Sequence, residues 1–494
     1  MRARAGSSIT RGALALLCGL AAQAPLGARA GQYGDANGFL SLKENAPLCV
    51  SENLPPAQRI ASCTAIIATA LHGTALPKAE IAKIYLARAQ AFEQDGDEQA
   101  ALKDLNTAVS DDPRSELPWI GLANFYVARS DYAQALANYD RALAIAHTDP
   151  VVYDDRGAAL EALGRHEQAI ADFSRAIALD SQDTSAYSNR ATAYLATMRP
   201  ALAIADLTQV IRADPTNGRA FYDRGTAYEL SGALEKAEDD YRAARQRAPA
   251  FAPASAALGR LLANQDPAEA LADLNAAIRI DPKSPALRAR AQFYLSRGQP
   301  ARALSDLDQV IANDASDSTA YVDRGVAKAT LGRLESAIDD YTRSIDLAPT
   351  AAAYVDRGAA YRRLKQPGRA IANFTAALEI DPKSAPALLG RAAARHDAGW
   401  LTQSLDDYTR VIEADPTNAT AFLERGNVDL DLGQFAAAFR DYSGSLKLDP
   451  NQPVALYNRS IAAARLGRLS DAARDQHRAL TLDPSLDSGA RHER

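Results

Sequence analysis

An alanine returns along this chain at a nearly fixed interval: Ala101, Ala135, Ala169, Ala203, Ala237, Ala270, Ala303, Ala337, Ala370, Ala438 and Ala472, with Ser404 in the one remaining slot. Every step is 33 or 34 residues. A period of that size marks one supersecondary unit copied many times, each copy burying apolar surface against the next. Length alone would divide the 494 residues into about three globular domains. The repeat overrides that division and predicts a single stacked array. Arrays of this kind bind other proteins along their length and seldom carry out chemistry.

Residues 150–183 show the unit. Tyr153, Gly157 and Leu160 share one helical face, and Gly164 supplies the stop that follows a helix C-cap. A second helix follows, with Ala169, Phe173 and Ala176 on its apolar face. Many units close on Asp-Pro, as at Asp214-Pro215, Asp281-Pro282 and Asp415-Pro416. Proline there stops the second helix and favours entry into the next. Small residues such as Gly157, Ala191, Gly225 and Gly325 recur in the first helix. Large ones such as Phe173, Leu207, Tyr241 and Tyr341 recur beside them in the second. Small against large at constant spacing predicts a tight antiparallel helix pair.

This pattern resembles the tetratricopeptide repeat family, whose unit runs large, small, aromatic, alanine, aromatic, alanine and a closing proline. Residues 187–215 carry it as Tyr187, Ala191, Tyr194, Ala203, Leu207, Val210 and Pro215. Twelve units begin near residues 82, 116, 150, 184, 218, 252, 284, 318, 351, 385, 419 and 453. The resemblance implies an all-α fold, a right-handed superhelical solenoid of helix–turn–helix repeats over residues 82–484. Lys328, Arg395, Asp429 and Ala463 stand where the first-helix aromatic belongs, which predicts looser packing in the C-terminal third; side chains that face a partner are the competing reading. The unit at 252 has Ser255 in its aromatic slot, a shortened turn, and Pro249, Pro253 and Pro267 around it. It reads as a soft joint over residues 249–290. Gln476 replaces an aromatic or leucine in the last unit, as suits a terminal helix with one flank in water.

The ends differ in composition. Arg2, Arg4 and Arg11 precede an apolar run, Gly12 to Ala22, and Ala28-Arg29-Ala30 is a small-x-small site. Residues 1–30 therefore read as a secretory signal peptide cleaved after Ala30, which predicts a periplasmic or secreted protein. The run is too short to span a bilayer, and no later run is long enough. Leu17 before Cys18 stands where a lipoprotein signal needs a small residue, so no stable membrane anchor is expected. Cleavage removes Arg2, Arg4, Arg11 and Arg29, leaving 51 basic and 61 acidic side chains, a net charge of about −10. Nucleic acid, which needs a basic surface, is excluded as a partner on that ground. Cys49 and Cys63 remain as a lone pair. In an exported chain the pair reads as a disulfide stabilising by roughly 3 kcal/mol; two free buried thiols are the competing reading. Residues 31–81 then form a linker and a disulfide-tied capping half-repeat, with an apolar stripe of Ile60, Cys63 and Ile67 on a helix starting near Pro55. Residues 485–494 read as a flexible tail.

Arginine recurs just before the small first-helix residue, at Arg88, Arg156, Arg190, Arg224, Arg290, Arg324, Arg357, Arg391, Arg425 and Arg459. Aspartate follows sixteen residues later at Asp104, Asp172, Asp206, Asp240, Asp306, Asp340, Asp407, Asp441 and Asp475. Where the arginine becomes Leu122, the acid becomes Asn138. Paired loss predicts a structural ion pair between the two helices. The slot before that arginine holds Asp155, Asn189, Asp223, Asp323, Asp356, Glu424 and Asn458. In the tetratricopeptide family this slot lines the concave surface, so the resemblance implies that these residues bind protein or extended peptide segments, with the acids favouring basic ones. A solvated polar face is the competing reading. No run matches the family's clamp of lysines, arginines and asparagines for acidic tails.

Enzyme signals are absent. His72, His147, His166, His396, His477 and His492 are scattered, and no HExxH, Walker loop, GxGxxG or GxSxG occurs. The sequence therefore predicts no catalytic residue, no cofactor, no metal site and no enzyme. It predicts a periplasmic protein–protein interaction scaffold or peptide-binding adaptor. The alternative is a structural component of an envelope export or polysaccharide-secretion machine.

Overall fold

The structure, a computed structural model, describes residues 44–72 and 76–488. The expected signal peptide, most of the expected linker and the last six residues lie outside the described residues. Among the described residues all regular structure is helical. Twelve helix pairs follow one another from Lys78 to Leu482. They fall into two compact units, one ending at Pro249 and the other beginning at Ala250. Five pairs belong to the first unit and seven to the second.

The chemistry of the turns sets the helix ends. In the pair Pro150–Ala162 and His166–Leu179, the Asp149 side chain caps the first helix by accepting from the Val151 amide. Gly164 then takes the left-handed conformation at φ 71° that reverses the chain. Between pairs, Asp214 ends the helix Pro200–Ala213 and accepts from both the amide and hydroxyl of Thr216 at 2.9 and 2.6 Å. Three residues on, Asn217 caps the helix Gly218–Leu230 through the Ala220 amide. The Asp-Pro signal thus marks two turns of hydrogen bonding as well as a proline stop.

Packing within a pair follows the small-against-large rule. A methyl group at Gly325 would lie 2.5 Å from the Tyr341 ring, and one at Gly225 would lie 2.8 Å from Tyr241. The glycines let the first helix rest on the aromatic face. Tyr139, Phe173, Leu207, Leu274 and Tyr442 are each no more than 1% exposed, and burying such a side chain stabilises by about 1.5–3 kcal/mol.

The first pair, Lys78–Asp95 and Glu98–Asp111, is preceded by the helix Pro56–His72. Cys49 and Cys63 are joined by a disulfide, with Cα atoms 4.8 Å apart. They pack with Val50, Ile66, Ile67, Ile84 and Ala87. Arg59 is wholly buried beneath this loop, donating to the Cys49 carbonyl, Gln94 and Gln90. At the other end Gln476 is exposed on the helix Leu469–Leu482. Residues 485–488, expected to open a flexible tail, are helical. Pro484–Ser488 is a further helical turn because Leu486, 3% exposed, tucks against Leu446, Leu456 and Ala479. No helix among the described residues is long and apolar enough to cross a membrane.

Candidate functional site

The first helix of each pair carries two neighbouring kinds of residue, one bound into the stack and one beside it. The arginine is turned in. In nine pairs it donates to both oxygens of the aspartate sixteen residues later, at 2.6–3.0 Å. The aspartate side chains are 2–10% exposed, so each is a desolvated charge met by a bidentate guanidinium. Arg357 instead donates to Asn373 at 2.7 Å. Two pairs lack the arginine, with Leu122 and Leu258 in its place; in the first of them Asn138 donates to the Gln134 carbonyl of its own helix.

A third contact escaped the sequence reading. The remaining arginine nitrogen reaches back to the second helix of the preceding pair: Arg156 to Asp140, Arg190 to Ser174, Arg224 to Thr208, Arg324 to Asp308, Arg391 to Thr375, Arg425 to Thr409 and Arg459 to Ser443, at 2.7–3.3 Å. Each arginine therefore ties three helices. Arg88 makes the same contact to Thr64 at 3.0 Å, which puts the helix Pro56–His72 in the place of a preceding second helix. Arg290 reaches Asn275 and Arg357 reaches Thr342 in the same way; the partner varies among Ser, Thr, Asp and Asn, so no single letter repeats and only its hydrogen-bonding class does.

Two of the non-aromatic residues serve the same brace, which corrects the expectation of looser packing. Lys328 lies 2.7 Å from Asp340, and Arg395 lies 2.7 Å from Asp407. Each supplies a second cation to a buried aspartate where other pairs place an aromatic. Ala463 is fully buried. Asp429 is the exception in chemistry. It is 5% exposed, and burial first, then the Asp441 charge, pushes its carboxyl up to about 6.

The slot before the arginine takes no part in the brace. Asp155, Asn189, Asp223, Asp323, Asp356, Glu424 and Asn458 are all half-buried there. The structure divides them. Asp323 accepts from Arg288 at 2.8 Å and from Gln292 at 3.3 Å, both on the preceding first helix. Asp223 accepts from Arg219 on its own helix. Asn189 donates to Asp154 at 3.0 Å. Glu424 and Asn458 join through Asn427. Asp155 and Asp356 have no cation within ion-pair distance among the described residues. Burial, followed by the charges of Asp154, Asp149 and Asp183, pushes Asp155 up to about 7. Burial alone pushes Asp356 up to about 6.

The column one residue earlier was also missed. In the second unit it reads Ala256, Arg288, Val322, Val355, Leu389, Leu423 and Tyr457, all half-buried. In the first unit it holds the buried Leu86 and Ile120, then Asp154, Ser188 and Tyr222, and burial raises Asp154 to about 6. The column is therefore polar from Asp154 to Tyr222 in one unit and apolar from Val322 to Leu423 in the other, with acids beside it. Such a face can hold an extended chain by side-chain contacts. It assembles no nucleophile with a base, and no group of acids, histidines and cysteines among the described residues could hold a metal ion.

Family models described as tetratricopeptide repeats match residues 188–253, 288–352, 423–487 and 351–384, and a TPR repeat model matches 162–197. Together these matches span about half of the chain. No curated protein matches it. Among solved structures, YrrB, described as a TPR protein with an unusual peptide-binding site, is 21% identical over 37% of this chain and 95% of its own, with a TM-score of 0.33. MamA from Desulfovibrio magneticus RS-1 is 22% identical over 34% of this chain and 94% of its own, with a TM-score of 0.32. The Cut9–Hcn1 hetero-tetramer of the APC/C is 13% identical, covering 90% of this chain and 95% of its own, with a TM-score of 0.43.

Proposed function

The chain belongs to the tetratricopeptide repeat family, and from that membership we propose that it is a periplasmic adaptor that holds extended, basic protein segments on the first-helix face. A tetratricopeptide array is a protein–protein interaction scaffold, and proteins of this family are typically not catalysts. The observation that carries the finer reading is the state of Asp155 and Asp356. Each is a half-buried carboxylate in the same repeat slot, without a cation of its own. A lysine or arginine from a partner would supply the missing charge and return both groups toward their ordinary acidity. Val355 and Leu389 beside Asp356 would take the apolar side chains of the same segment.

The reading is tested by replacing Asp155 and Asp356 together with lysine. Neither side chain is engaged in the braces, so helix content should be unchanged. Capture of partners from periplasmic extract should fall at least tenfold, and wild-type capture should weaken with salt. It should also weaken as pH falls from 7.5 to 5, because both carboxyls take up protons in that window and lose the charge a basic segment needs. Undiminished capture by the double variant would remove the acidic face from the account.

A further inference from the structure

The most basic short run in this acidic chain lies in a turn. Residues 362–369 read Arg-Arg-Leu-Lys-Gln-Pro-Gly-Arg, and they join the helices Ala351–Arg363 and Pro367–Ile380. The chain as a whole carries a net charge of −6. Arg363, Lys365 and Arg369 are exposed, and no carboxylate lies within ion-pair distance of them among the described residues.

The neighbouring turns add to this patch. Arg363 donates to the Ala329 carbonyl at 2.9 Å, tying the run to the preceding turn, where Leu331 is 36% exposed and Arg333 is exposed. Arg362 bonds Asp397 at 2.6 Å in the following turn, where Trp400 is 49% exposed. The carboxylates of the patch are Glu335 and Asp397, against the five cations Arg333, Arg362, Arg363, Lys365 and Arg369. Asp431, one turn further on, is bonded to His396.

Lys365 itself has φ 56°, the left-handed conformation, where the flanking pairs carry Gly332 and Gly399 at 77°. A lysine is disfavoured there and a glycine is not. Ser130 and Met198 hold the same slot at 60° and 57° in two other turns, so it is the basic run, and not the backbone, that sets this turn apart.

We propose that this edge, centred on Lys365 and flanked by Leu331 and Trp400, docks reversibly on an anionic lipid surface. The cations match the headgroup charge, each contributing attraction at close range. An indole with a polar N–H and an apolar body suits the boundary between headgroup and acyl chain. An acidic protein segment would use the cations but has no need of an exposed tryptophan and leucine on either side of them.

Trp119 and Trp400 are the two tryptophans of the chain. In the full chain carrying Trp119→Phe, Trp400 reports alone. Mixed with phosphatidylglycerol–phosphatidylcholine vesicles, its emission should shift to the blue, and the protein should sediment with the vesicles. Pure phosphatidylcholine vesicles should do neither, and high salt should reverse both effects. Lys365→Gly should melt at a higher temperature than wild type yet bind the anionic vesicles about fivefold more weakly, the weight of one interfacial charge. Arg363→Glu with Lys365→Glu should abolish binding. Sedimentation of the otherwise wild-type chain repeats the comparison without the tryptophan substitution. Equal binding to both vesicle types, an unshifted Trp400, unchanged binding by Lys365→Gly, or a preference for poly-glutamate over vesicles would each overturn the proposal.

Discussion

At the scale of single residues, the braces divide into those with one cation and those with two. Asp206 is held by Arg190 alone, with Tyr194 in the aromatic slot, whereas Asp340 is held by Arg324 and Lys328. Arg190→Ala leaves a 5%-exposed carboxylate without a counter-charge and should cost about 3 kcal/mol. Arg324→Ala leaves Lys328 in place and should cost about 1 kcal/mol. Urea unfolding of the two variants measures the difference; equal losses would show that the lysine is not part of the brace. Asp429 makes the opposite case. Its folded carboxyl, raised to about 6, lies above its unfolded value, so the folded state holds a proton that the unfolded state has released. Its contribution to stability is therefore present below pH 4 and is lost as pH rises through 6. Asp429→Asn should stabilise the chain by on the order of 1–2 kcal/mol at pH 7 and flatten the stability profile between pH 4 and 6. The arginine-to-aspartate spacing was legible because both letters recur together. The back-reaching third contact was not, because Asp140, Ser174 and Thr208 share a hydrogen-bonding role without sharing a letter.

At the scale of elements, the helix pair was legible almost whole. Gly157 against Phe173 and Gly325 against Tyr341 encode the contact, since nothing larger fits. The pair at residue 252 departs from its neighbours in structure as in sequence. Its first helix, Ala252–Leu261, has ten residues where Ser318–Thr330 has thirteen, and Leu258, like Leu122 in the pair at 116, stands where the other ten pairs carry the arginine. The division between the two compact units falls at its edge. Stability in a repeat array is close to a sum of unit and neighbour terms, so the pair that lacks both the arginine and the first-helix aromatic, on a shortened helix, opens first. Amide exchange should be faster across residues 252–280 than in any other internal pair, and uniform protection would contradict this. Leu274, fully buried, was legible as the large residue of its column; full burial of Leu258 in the arginine slot was not.

At the scale of the whole molecule, one design serves both units: arginines turned inward hold the helices in register, and the half-buried residues beside them stand outside the braces. Which of those residues remain available was beyond the sequence. Asp323 and Asp356 occupy the same slot in adjacent pairs, yet Arg288 and Gln292 reach one and no cation reaches the other. The difference comes from residues 31–35 positions away, on a neighbouring first helix. The central claim is that partners are held on the first-helix face. A photoreactive residue in place of Val355, beside Asp356, tests it most directly when compared with one in place of Glu379, exposed on a second helix. In periplasmic extract, the probe at Val355 should crosslink a protein through a basic segment, and Asp356→Lys should suppress that crosslink while the probe at Glu379 stays silent. Crosslinking from Glu379 alone would place binding on the second helices and contradict the account.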